Sequence, residues 1–64
     1  MMMFNNKILN IGGKLIKVEL DNSNNDVILV DIKLNKILSY ICIENFLDMT
    51  FGELIEFIES QYKS

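Results

Sequence analysis

The chain has 64 residues, half of them hydrophobic, a net charge of −3 and a single cysteine, and it lacks His, Arg, Trp, Ala and Pro. That length allows one small domain, the apolar content argues against disorder, and no apolar run approaches the ~18 residues needed to cross a bilayer. Without His and with one Cys, metal sites of the zinc type and an internal disulfide are excluded.

Residues 1–6, MMMFNN, are expected to fray, and the start lies among Met1, Met2 and Met3. They lack the cationic region and cleavage site of a secretory signal, so the cytoplasm is the expected location. A strand is expected over 7–11 and another over 14–20, joined by Gly12-Gly13, because both central positions of a primed hairpin turn require positive φ. That turn sets Ile11 opposite Lys14, Leu9 opposite Ile16 and Lys7 opposite Val18. A phosphate-cradling loop is the functional reading of the glycine pair, but neither glycine-rich fingerprint is met and no helix follows.

Residues 21–25, DNSNN, read as a solvated loop. A calcium loop beginning at Asp21 needs Gly at its sixth position and Glu at its twelfth, where Asp26 and Ile32 stand. With Leu20 set opposite Asp26, Val18 meets Ile28 and Ile16 meets Val30. Strands are then expected over 26–34 and 37–44, folded back about Asn35-Lys36, with Ile28, Val30, Ile32 and Leu34 on the core face opposite Ile43, Ile41, Ser39 and Ile37.

After Glu44 the period changes. Residues 45–49 read as a connector, and Thr50-Phe51-Gly52-Glu53 has the form of a capping box. Phe51, Leu54, Ile55, Ile58 and Tyr62 fall on one stripe, which predicts an amphipathic helix over about 51–62. The expected fold is α+β: a four-stranded antiparallel meander covered on one face by a C-terminal helix, a single ββββα domain over 1–64.

These registers leave the outer sheet face half apolar, with Leu15, Val27, Leu29, Leu38, Tyr40 and Cys42 beside Asp31 as the expected contact surface. An apolar cluster with a charged rim on a small domain is characteristic of an interface, and a symmetric dimer is the commonest way to bury one. The alternative cover is the chain's own first six residues or the 45–49 connector with Phe46, Leu47 and Met49. Cys42 reads as a small hydrophobe, since no His exists to activate it.

Charge is uneven: residues 1–20 hold three Lys and one Glu, and residues 44–59 hold five acids and no base. Glu53, Glu56 and Glu59 recur along the outer side of the predicted helix, as a solvated face or as an acidic stripe offered to a basic partner. Asp31 or Glu44 beside Tyr40 is the best acid–base cluster in the chain and reads as ordinary rim charge. No catalytic residue, cofactor or metal is therefore expected.

The functional expectation is a non-enzymatic protein-binding module: a homodimer, or a small inhibitor or adaptor of a host protein. The AT-rich codon bias implied by the composition suits a low-GC bacterium, a phage or another mobile element. The alternative is a nucleic-acid-associated regulator using Lys7, Lys14 and Lys17. Nucleic acid is not the expected partner, because no Arg and no interleaved aromatics accompany these lysines and the acidic end repels a phosphate backbone.

Overall fold

The computed structural model describes residues 7–63, so the expectation for residues 1–6 lies outside the described residues. Four strands, β1 (Lys7–Ile11), β2 (Lys14–Asp21), β3 (Asp26–Asp31) and β4 (Lys36–Cys42), form an antiparallel sheet in sequential order. Two helices follow, α1 (Ile43–Asp48) and α2 (Phe51–Ser60). The α+β meander with a C-terminal helix is thus observed, with α1 added in place of the connector.

The first hairpin closes as its glycines dictate. Gly12 and Gly13 have φ of 58° and 84°, and the register pairs Ile11 with Lys14, Leu9 with Ile16 and Lys7 with Val18. Asn10 braces the turn by accepting the Gly13 N–H on Oδ1 at 3.1 Å.

The second connection differs from expectation by one residue, and that residue inverts β3. Asp21 pairs with Asp26, so Leu20 faces Val27, Val18 faces Leu29 and Ile16 faces Asp31. The cause is the turn. Asp21 accepts from Ser23 N–H at 3.1 Å and from the Asn24 side chain at 3.0 Å, and Asn25 adopts φ 55°, which closes a four-residue loop where five were expected. Side chains alternate faces along a strand, so Val27 and Leu29 enter the core while Ile28 and Val30 turn outward.

The third turn repeats this chemistry ten residues later. Asp31 accepts from Leu34 N–H on Oδ1 at 3.0 Å and Asn35 takes φ 52°, so the loop spans residues 32–35, not the two-residue Asn35-Lys36 turn expected. Asp31 therefore pairs with Lys36 and Val30 with Ile37, and the partners then jump to Leu29 with Ser39. Leu38 is the bulged extra residue. Ile37 turns outward opposite Val30 and Leu38 packs against the core, and the bulge then resets the parity of β4 so that Tyr40 faces outward opposite Ile28 and Ile41 inward opposite Val27.

The core lies on the inner face, where Ile11, Ile16, Val18, Val27, Leu29 and Ile41 meet Phe46 of α1 and Leu54 and Ile58 of α2. Helix α1 starts directly from β4, and the Ile43 N–H donates to the Asn25 carbonyl at 3.0 Å, which ties the helix start to the second turn. Helix α2 starts on the capping box as predicted: Thr50 Oγ1 accepts from Glu53 N–H at 3.1 Å and Glu53 Oε1 from Thr50 N–H at 2.9 Å. Phe51, expected on the buried stripe, is instead 61% exposed at the first helical position. Phe57, outside that stripe, packs against the core in its place.

Candidate interaction surface

Both helices pack on the inner face, so the described residues leave the outer face of the sheet bare. The registers lay it out in four rows across the strands. The end row at the glycine turn runs Asn10–Leu15, with the Ile32 N–H bonded to the Leu15 carbonyl at 3.0 Å. Next come Ile8–Lys17–Val30–Ile37, then Glu19–Ile28–Tyr40, then Asp21–Asp26–Cys42. The two middle rows hold a contiguous apolar strip on β3 and β4, in which Ile37 is 49% and Tyr40 58% exposed. On β2 the same rows hold an ion pair, Lys17 Nζ to Glu19 Oε2 at 3.5 Å.

The outer face is thus half apolar as expected, with a different membership. Leu15, Tyr40 and Cys42 lie on it. Val27 and Leu29, placed there by the sequence reading, are fully buried at 0% exposure because β3 is inverted, and no interface can use them. Leu38, next to outward Ile37, packs against the core. Ile28, Val30 and Ile37 are the residues that reading missed; Ile37 was expected in the core opposite Leu34. The connector does not cover the face either: Phe46 is buried in the inner core, Met49 packs against it, and Leu47 is exposed.

Asp31, the remaining expected contact residue, is 3% exposed on the inner side. The Tyr62 hydroxyl donates to its Oδ2 at 2.5 Å, and Lys14 sits 4.8 Å from the Tyr62 ring centroid. The Tyr62 hydroxyl, and after it the Leu34 N–H, holds the Asp31 carboxyl below its usual range, against the opposing effect of burial. Burial, reinforced by the Asp31 carboxylate, pushes Tyr62 up to about 12. This cluster latches the segment that follows α2 onto the start of the third turn. Both Asp31 oxygens are engaged, by Tyr62 and by the Leu34 N–H, which suits a structural tie.

The other candidates separate in space. Lys7 and Lys14 share the inner parity at opposite ends of the first hairpin, whereas Lys17 is on the outer face against Glu19, so the three make no single basic stripe. Glu53, Glu56 and Glu59 are all exposed on α2, and Glu53 is occupied by the cap. Cys42, read as a small hydrophobe, is exposed at the end of the outer face. Glu44, at the start of α1, no longer lies beside Tyr40 on a strand. Among the described residues no group of Cys, Asp or Glu is placed to hold a metal, and no helix is long and apolar enough to cross a membrane.

A second apolar feature lies on the inner side at the β1 edge. Lys7, Leu9, Val18, Phe46, Phe51 and Leu54 line an open notch of about 120 Å³. It is smaller than the ~150 Å³ apolar cavity known to admit benzene. Of its lining only Phe51 is an exposed large hydrophobic side chain, which does not make a face. Compared with family models, with curated proteins and with solved structures, the chain matches none.

Proposed function

We propose that the protein is a non-enzymatic interaction module of the cytoplasm that associates through the outer face of its sheet. The observation that carries this reading is the apolar strip Ile28–Val30–Ile37–Tyr40, flanked by charge and left uncovered by both helices. Aliphatic and aromatic side chains in one contiguous, charge-rimmed patch, half-buried at Ile28 and Val30 and exposed at Ile37 and Tyr40, lose hydration most favourably against another protein surface. The two rows share this strip with one ion pair only, which keeps the desolvation cost low. A small inhibitor or adaptor would act through the same surface.

Sedimentation equilibrium over a concentration series tests the reading. The wild-type chain is expected to gain mass with concentration, Ile28→Lys to remain a folded monomer, and Leu47→Lys, on the opposite side, to behave as wild type. Equal association of wild type and Ile28→Lys would overturn it.

A further inference from the structure

The outer face carries a charge and apolar pattern that complements itself in one orientation. We infer that a second copy of this chain is the occupant, stacked face to face with its strands antiparallel to the first about a two-fold axis that passes between the two middle rows. The inference rests on the outer face being the association surface, and it adds the partner and the geometry.

A face-to-face dimer of this sheet has two simple choices, a two-fold axis running along the strands or one running across them in the interface plane. The axis across the strands lays each strand over its own copy and exchanges the two middle rows. Val30 then meets Ile28 of the second copy and Ile37 meets Tyr40, so the apolar strip is covered by itself. On β2 the same operation sets Lys17 over Glu19 of the second copy and Glu19 over its Lys17, turning one ion pair into a four-charge ring. The axis along the strands, placed so that the faces overlap fully, instead sets β2 over β3 and lays Lys17 on Val30 and Glu19 on Ile28. That buries charge against aliphatic carbon without a partner, which is costly.

The end rows separate the two stacks by like charge. Asp21 and Asp26 are directly opposed on the outer face, a destabilising like-charge pair, and among the described residues neither is ion-paired to a lysine. The antiparallel stack exchanges the end rows and sets Asp21 over Leu15 and Asp26 over the 32–35 turn of the second copy, away from its aspartates. The parallel stack brings a second copy of the same two aspartates over them.

The area sets the strength. Four strands at ~4.8 Å spacing and about six residues at ~3.3 Å rise give roughly 380 Å² of face per copy. Counting both copies and the relief of the side chains, the buried surface falls near the ~1,000 Å² lower bound for a specific interface, so the dimer is a weak one.

The experiment compares the dimer dissociation constants of five chains by sedimentation equilibrium: wild type, Val30→Lys, Lys17→Glu, Glu19→Lys and the double swap Lys17→Glu/Glu19→Lys, each checked as folded by circular dichroism. Antiparallel stacking predicts a wild-type dimer abolished by Val30→Lys. Lys17→Glu and Glu19→Lys each weaken it roughly ten- to hundredfold, since each reverses two inter-chain pairs. The double swap restores the wild-type constant, and an equimolar mixture of the two single variants forms a heterodimer tighter than either homodimer. If Val30→Lys abolishes the dimer but both single charge variants bind as wild type, the antiparallel geometry is overturned while the outer face stands. If the wild type stays monomeric to millimolar concentration, or dimerises indifferently to Val30→Lys, the face itself is refuted as a self-interface.

Discussion

Adjacent residues of β3 should respond to truncation in opposite ways, because the second turn fixes which of them is inside. Leu29 is at 0% exposure among the core side chains, while Ile28 is half-buried on the outer face. Leu29→Ala removes the buried side chain and leaves a cavity between sheet and helices, at a cost of about 2–5 kcal/mol. A chain this size has a total stability of roughly 3–10 kcal/mol. A loss of ~3 kcal/mol would lower the melting temperature by about 12–24 °C, and the harshest case leaves no folded protein. Ile28→Ala forfeits strand propensity and partial burial only, roughly 1 kcal/mol or less. Urea titration followed by circular dichroism measures both, at low protein concentration, so that no self-association adds to the Ile28 effect. Leu29→Met, which conserves volume and costs under ~1.5 kcal/mol, keeps the site measurable should the alanine variant unfold. An Ile28→Ala penalty equal to or larger than that of Leu29→Ala would refute the observed register and restore the opposite parity.

Three further perturbations address the devices that hold this arrangement. Thr50→Ala removes the capping hydroxyl and should cost about 1 kcal/mol in a urea titration; no change would show that the box is not formed in solution. Asn35→Gly should be neutral or stabilising by up to ~1 kcal/mol, and Asn35→Val should cost roughly 1–2 kcal/mol, because residue 35 is held at φ 52°. Equal behaviour of the two variants would contradict that turn. The Asp31–Tyr62 latch predicts pH dependence at both extremes. The folded-state pKa of Asp31 is depressed, so its contribution is present above the unfolded value near 3.8 and is lost as pH falls through the lowered value. Tyr62 is raised to about 12 from 10.0, so its contribution is present below pH 10 and is lost as pH rises from 10 toward 12. The stability difference between wild type and Tyr62→Phe should therefore be greatest between these windows and shrink in both; a pH-independent difference would argue against the hydrogen bond.

The parts of the fold legible in the sequence are those where local chemistry admits one answer. Gly12-Gly13 fixed the first hairpin and its register, and Thr50 with Glu53 marked the start of α2. Strand β3 was not legible in the same way. Val27 and Leu29 on one row and Ile28 and Val30 on the other are equally aliphatic, so the hydrophobic pattern carries no information about which row faces inward. The turns decide it, and their shared signal is an Asp followed four residues later by Asn: Asp21 with Asn25 and Asp31 with Asn35. In both, the carboxylate accepts a backbone N–H inside the loop and the Asn takes the left-handed conformation, which counts out four loop residues. Read as paired devices, the two Asp–Asn spacings would have placed Ile28 and Val30 outside. The bulge at Leu38 has no comparable signal, since a one-residue skip follows from the mismatch between turn and core and not from any residue type. Helix α1 was hidden by its brevity, six residues without a side-chain cap, and by an apolar start, Ile43, that continued the strand pattern of β4.

Association through the outer face of the sheet is open to an isotope-filtered NOE experiment on a mixture of ¹³C-labelled and unlabelled protein. At a concentration where the solution mass is that of a dimer, intermolecular NOEs should join Ile37 methyls to the Tyr40 ring and Val30 methyls to those of Ile28. Intermolecular NOEs centred instead on Leu47 and Phe51, or none from Ile28, Val30, Ile37 and Tyr40, would contradict it.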